Sequence, residues 1–240
     1  EVVDAYGIAP EKLSAPGTIP IWTSWIESFP EWDQQPRAVM GPMFYTSGTT
    51  GRPKGVKRLP VAPEVAAEAQ GRGIMAFGLD AQNIRSVMSG PLYHSAPNAY
   101  GMGVVGGQGF LVLQPRFNPL ELLQMIERFK ITHLHMVPTM FVRLLALPEA
   151  DKEKYDLSSL KHVVHGAAPC PPEVKREMID WWGPIIHEYY AMTETGIIAV
   201  SDSEGWLANS GSVGKSAPGV DIRIVDEEGN PAPVGEVGEI

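Results

Sequence analysis

A chain with a single cysteine, Cys170, can close no internal disulfide and offers no thiolate cluster for a metal. Cations are scarce as well: 19 Lys and Arg stand against 28 Asp and Glu, for a net charge of −9. Nucleic-acid partners require clustered positive charge along the phosphate backbone, so that class is not expected. No apolar run approaches the ~20 residues that span a bilayer. No basic segment followed by an apolar stretch opens the chain, as a secretory leader would. These absences fit a reducing, cytoplasmic setting. A small anion remains an option, because backbone N–H groups can hold it whatever the net charge.

What is present is enough apolar material for a core. With 240 residues, 44% of them hydrophobic, the chain can build one large domain or a large and a small one. It starts at Glu1 without a methionine and stops inside "GEVGEI", a strand pattern, so a fragment of a longer polypeptide is expected. Residues 1–37 form an irregular lead-in rich in Pro and Trp. From Val39 onward, short apolar runs (39–45, 84–89, 109–114, 132–137, 160–165 and 184–189) alternate with stretches of helical period.

The clearest helix follows Asn118, a capping residue. Pro119 suits the first helical position, and Leu122, Met125, Ile126 and Phe129 share a face. A second helix follows Cys170, with Val174, Met178, Trp181 and Trp182 along one side. Strands alternating with such helices predict an α/β fold, a mostly parallel sheet flanked by helices, over 38–205. After about Ser201 the helical period vanishes. Strand patterns at Val220–Val225 and Gly235–Ile240, split by "DEEGNPAP", predict the start of a small antiparallel β unit over 206–240.

An open parallel sheet binds its ligands at the carboxyl ends of its strands. Gly, Ser, Thr and Pro concentrate just after the apolar runs, in "TSGTTGRPKG", "GPLYHSAP", "GAAPCP" and "YAMTETG". In "YTSGTTGRPKG" (45–55), Gly48, Gly51 and Gly55 open the backbone to close approach. Thr46, Ser47, Thr49 and Thr50 add hydroxyls, and Lys54 adds a positive charge, a combination suited to an oligophosphate. It is not a Walker A loop, since Gly51 is followed by Arg-Pro. Composition alone fits a solvated linker equally well.

The order of motifs is more specific. "YTSGTTGRPKG", then "HGAAP" (165–169), then "YYAMTETG" (189–196), then "GSVGKSAPGVDIRIVD" resembles the adenylate-forming superfamily of acyl-CoA synthetases and AMP-dependent ligases from about Val39 to Ile240. The resemblance implies ATP-dependent activation of a carboxylic acid to an acyl-adenylate, then capture by coenzyme A. By position it assigns Thr46, Ser47, Gly48, Thr49, Thr50, Gly51 and Lys54 to the β- and γ-phosphates. Gly166, Ala167 and Ala168 go to the adenine, Tyr190 to the face of the base, Thr193 to the α-phosphate and Glu194 to Mg²⁺. Ala191 departs from the family, which has glycine there.

It also implies that His94 and the following stretch, with Gly101, Met102 and Val105, line the acyl pocket. No Lys, Arg, Asp or Glu occurs from Ser86 to Pro115, so a fatty or bulky apolar acid is expected. The glycines could instead serve close helix packing, His94 could cap a turn, and Tyr190 could be a core aromatic. His133 and His135 alternate on a strand without further ligands nearby in sequence, which argues against a metal. His162, His165 and His187 are expected to be hydrogen-bonded structural residues. The family's C-terminal catalytic lysine and ribose-binding aspartate would lie beyond Ile240, so the isolated chain is expected to form no acyl-adenylate. The alternatives are an adenylation domain that loads a carrier protein and an inactive fold fragment.

Overall fold

The computed structural model describes Pro30 and residues 43–46, 54–57 and 59–240. The lead-in at 1–37 lies, Pro30 apart, outside the described residues, as do Ser47, Gly48, Thr49, Thr50 and Gly51.

The main sheet grows from β3 (Arg85–Met88), β4 (Phe110–Leu113), β5 (His133–Met136), β6 (His162–His165) and β7 (Ile186–Met192), in the order β4-β3-β5-β6-β7 and all parallel. Each of these overlaps an expected apolar run, and β7 continues three residues past the end of its run. Between them run α2 (Ser95–Gly106), α3 (Pro119–Phe129), α4 (Pro138–Leu145), α5 (Glu149–Lys152) and α6 (Pro172–Trp182); α1 (Pro63–Ala76) precedes β3. Parallel neighbours need such crossovers, and the helices cover both faces of the sheet. All four residues of β5 are accordingly buried, its two histidines included.

One face carries Phe77, Tyr100 and Val104 over Val164 and Tyr189. The other carries the larger cluster, in which Leu122, Ile126, Phe141, Met178 and Trp206 pack on Val87, Leu134, Val163 and Ile186. Helix α3 starts as the sequence indicates: the Asn118 side chain accepts a hydrogen bond from the Glu121 N–H at 3.1 Å, and Leu122, Met125 and Ile126 are buried.

The sheet is mostly parallel, as expected, and is extended by two antiparallel strands, β8 (Gly196–Ser201) and β9 (Lys215–Ser216), with α7 (Ser203–Ala208) between them. Two expectations are corrected. The apolar run at 39–45 does not join the parallel sheet. Its described end, β1 (Phe44–Thr46), pairs antiparallel with β2 (Lys54–Val56), Thr46 opposite Lys54. An antiparallel pair of this kind needs no crossover. Second, beyond Ser216 antiparallel pairing is confined to single bridges of Val225 with Pro231 and with Glu239, in place of continuous strands over 220–225 and 235–240. Pro231 and Pro233 cannot donate to a ladder. Asp226 spends its acceptors on its own turn, taking the N–H groups of Glu228 at 3.1 Å and Asn230 at 2.8 Å.

Candidate active site

Hairpin β1–β2 presents the glycine- and hydroxyl-rich loop. The Thr46–Lys54 pair closes the base of that loop, and Lys54 stands exposed. A Cβ on Gly55 would sit 3.3 Å from both the Met43 sulfur and the Tyr45 ring, so this glycine lets its neighbours lie across it. The loop residues themselves, Ser47 to Gly51, lie outside the described residues.

At the carboxyl edge of the main sheet, β6 runs into the turn at Gly166–Ala168, and β7 alongside carries Tyr190. Gly166 is buried, whereas Ala167 and Ala168 are exposed. Ala167 adopts φ +68, a left-handed conformation uncommon for a residue with a side chain. Gly166 answers a packing demand: a Cβ there would approach the Tyr189 ring to 2.7 Å and the Tyr189 carbonyl oxygen to 2.8 Å. Tyr190, half-buried, follows on β7, where the register with β8 shifts between Tyr190 and Ala191. A bulge of this kind re-aims side chains at a sheet edge.

The strand pair then closes through Thr193, Glu194 and Thr195, with Gly196 at φ +80 and Met192 opposite it. Left-handed glycine after a short loop is a standard hairpin closure. Glu194 is exposed, and its carboxylate has no hydrogen bond or ion pair to a described residue; Thr193 is half-buried. The fold thus brings Gly166–Ala168, Tyr190, Thr193 and Glu194 onto β7 and the loops that end the neighbouring strands β6 and β7.

The residues expected around the acid divide. His94 is the exposed N-cap of α2, its side chain making no cap bond. Gly101 faces inward, where a Cβ would meet Leu92, Leu111 and Met88 at 3.4–3.6 Å. Gly103 has Leu79 within 2.5 Å of its Cβ position, which is the close helix packing considered above. Met102 and Val105 turn outward, 65% and 53% exposed.

Sequence reasoning missed two buried polar groupings beneath this edge. Helix α6 turns inward with Lys175, Met178 and Ile179, while Val174, Trp181 and Trp182 are only partly buried. The stripe is thereby displaced from the one expected, and a lysine lies at its centre. Lys175 Nζ donates to Glu188 Oε2 at 2.6 Å and lies 5.0 Å from the centroid of the buried Trp206 ring. The signals were a lone Glu inside the strand run "IIHEYY" and a Lys one turn from its apolar neighbours, which a binary pattern assigns to solvent.

The second grouping is made of histidines. His133 faces His162 across β5 and β6, and His162 stacks on His187 with centroids 4.0 Å apart. His135 Nε2 shares a 2.8 Å hydrogen bond with the Tyr189 hydroxyl. The expectation of a hydrogen-bonded ring holds for His162, which bonds the Ala76 backbone while its Nε2 has no partner among the described residues, and is corrected for His165, neither of whose ring nitrogens has one. Each ring is held by aromatic packing instead, His165 against Phe141 at 5.3 Å.

Burial holds these imidazoles neutral. It pulls the pKa of His135 down to about 4, and those of His162 and His165 down to about 3. Nearby positive charge adds to the effect, from His187 on His162 and from Lys175 on His165. The unfolded chain takes up protons at these sites near pH 6.5, and the folded chain does so only near 3 to 4. Stability is therefore complete above about pH 6.5 and falls as the pH drops towards those folded values. Each such histidine adds a slope of up to about 1.4 kcal/mol per pH unit. Urea midpoints measured from pH 8 to pH 4.5 should be flat above 6.5 and fall steeply below it. A midpoint that rises on acidification would contradict the buried neutral state.

Similarity to known proteins agrees with this architecture. A model of the AMP-binding enzyme family matches residues 27–240. The chain is 34% identical over 210 residues to the medium/long-chain-fatty-acid–CoA ligase FadD8 of Mycobacterium tuberculosis, covering 87% of this chain and 35% of that protein. It is 32% identical over 206 residues to the human mitochondrial acyl-coenzyme A synthetase ACSM5, covering 82% of this chain and 33% of that one. Among solved structures, the amide bond synthetase McbA of Marinactinospora thermotolerans superposes with a TM-score of 0.73 at 28% identity, over 88% of this chain and 42% of that one. The chain spans about a third of the length of the curated relatives it matches. Among the described residues no helix is long and apolar enough to cross a membrane. With its parallel sheet, its small-residue turn and its Thr-Glu hairpin in the order read from the sequence, the chain belongs to the AMP-binding enzyme family.

Proposed function

We propose that the protein activates a carboxylic acid with ATP to an acyl-adenylate and passes the acyl group to coenzyme A, in the cytoplasm. One observation carries this reading. The turn Gly166–Ala168 and the segment from Tyr190 to Glu194 stand side by side at the carboxyl edge of β6 and β7, where open parallel sheets hold nucleotides.

In this reading Thr46, Ser47, Gly48, Thr49, Thr50, Gly51 and Lys54 grip the β- and γ-phosphates. The backbone at Gly166, Ala167 and Ala168 lies against the adenine, and Tyr190 offers its ring face to the base. Thr193 donates to the α-phosphate. Glu194 fits a Mg²⁺ ligand, because its exposed carboxylate is unengaged by any described residue and Mg²⁺ takes one or two carboxylates beside phosphates. When bound there, the ion neutralises phosphate charge. A carboxylate oxygen of the acid attacks the α-phosphorus, and the bond to the bridging oxygen breaks as pyrophosphate leaves. The thiolate sulfur of coenzyme A then attacks the acyl carbon and AMP departs, its phosphate keeping the electron pair. Positioning and charge neutralisation carry such chemistry.

A medium-to-long fatty acid or a bulky ring-bearing acid is the proposed substrate. The charge-free stretch from Ser86 to Pro115, which includes His94 and α2, supports an apolar site. The name of the mycobacterial relative points the same way. Residues 38–205 would form the nucleotide- and acyl-binding part, and 206–240 the beginning of a β subdomain. The full-length protein should show its highest kcat/KM with octanoate, palmitate, benzoate or a sterol-type acid when these are compared with acetate and amino acids. Acetate or an amino acid in first place would overturn the apolar-pocket reading. Adenylate formed without thioester on adding coenzyme A would move the acceptor to an amine or a carrier protein.

A further inference from the structure

We propose that Lys175 and Glu188 are positioning residues, a buried charge clamp that holds the Gly166–Ala168 turn in place against Tyr190. The proposal rests on the nucleotide-binding reading above.

Stability alone does not explain this pair. Lys175 is fully buried and Glu188 is 8% exposed, and a buried ion pair is generally no more stabilising than apolar side chains of the same volume. What the pair does provide is a directional link between specific atoms. Lys175 Nζ meets Glu188 Oε2 at 2.6 Å, and no other described residue hydrogen-bonds that carboxylate. His165 Nε2 stands 3.6 Å from the same oxygen, too far for a hydrogen bond.

The link spans the elements that frame the turn. Strand β6 enters the turn at His165, which is opposite Glu188 in the β6–β7 register. Helix α6 leaves it, with the Lys175 N–H donating to the Pro171 carbonyl at 3.1 Å. Lys175 thus ties the exit of the turn to β7. Glu188 and Tyr190 are two residues apart on that strand, so they share a face one pleat apart, about 7 Å. The clamp lies directly beneath the proposed base-binding wall. The turn it secures contains Ala167 at φ +68, a conformation that persists only where the surroundings enforce it.

The test compares Lys175→Met, Glu188→Gln and the double variant Lys175→Met/Glu188→Met in the full-length protein. Thermal midpoints are recorded, and Mg²⁺–ATP affinity is measured by calorimetry well below each midpoint. KM for the acid is measured alongside. Each single variant should melt earlier and bind ATP about tenfold more weakly, the scale expected when binding groups shift slightly. The double variant leaves no uncompensated charge. It should regain the wild-type midpoint but keep the weakened ATP affinity, with KM for the acid unchanged. A double variant that binds ATP like the wild type would overturn the clamp and make the pair a matter of stability. Wild-type protein that binds no ATP would overturn the nucleotide-binding reading itself, and the clamp with it.

Discussion

Glu194→Gln in the full-length protein is expected to slow Mg²⁺-dependent adenylation by roughly a hundredfold, the typical cost of removing one preorganised charge-stabilising group. The carboxylate stands exposed on the loop between β7 and β8 and makes no hydrogen bond or ion pair with a described residue, so its neutralisation is expected to leave stability nearly unchanged. Surface changes of this kind stay within about 0.5 kcal/mol of wild-type stability. The expected signature is a rate loss that higher Mg²⁺ partly relieves, beside an unchanged thermal midpoint. Parallel losses of rate and stability would make Glu194 a structural residue.

Gly166→Ala should act through the fold and the site together. Its new Cβ would lie 2.7 Å from Tyr189 Cζ and 2.8 Å from both Tyr189 Cε1 and the Tyr189 carbonyl oxygen, closer than such atoms come. The Tyr189 ring cannot step aside. It is 4% exposed, its hydroxyl is bonded to His135 Nε2 at 2.8 Å, and Phe77 packs edge-on at 5.4 Å. The backbone of the turn must yield instead, at a cost of about 1–3 kcal/mol for one extra methyl in a packed interior. That displacement moves Ala167 and Ala168, so ATP affinity should fall with stability. Gly101→Ala is the control, because its Cβ would meet Leu92, Leu111 and Met88 at ordinary distances of 3.4–3.6 Å. Equal tolerance at both positions would show that Tyr189 does not constrain the turn.

These two glycines also show where sequence reasoning reached and where it stopped. Gly166 reads as a small residue beside the base and Gly101 as part of the acyl stretch or a helix contact, but only three-dimensional packing reveals that one meets a fixed ring and the other movable side-chain ends. The strands of the parallel sheet were legible because strands buried on both faces read as continuous apolar runs bounded by turn residues. Helix α3 was legible because Asn118, Pro119 and its apolar period all agree.

The hairpin β1–β2 was misplaced into the main sheet, since an apolar run does not declare its partner strand. Lys175 and Glu188 were invisible for a related reason. Pattern rules send charge to solvent, and only the register of β6 with β7, together with the rotation of α6, brings these two together inside. The histidine stack escaped because its members lie on three different strands. In the sequence His133 pairs with its strand neighbour His135, whereas His162 and His187 read as separate structural residues.

The most direct test of the account is exchange of labelled pyrophosphate into ATP, measured on the full-length protein with Mg²⁺ and an apolar acid such as octanoate. The account predicts label in ATP only when the acid is present, AMP as the product after coenzyme A is added, and loss of exchange in Glu194→Gln. Absence of exchange with every acid tested, or ADP and phosphate as the products, would contradict it.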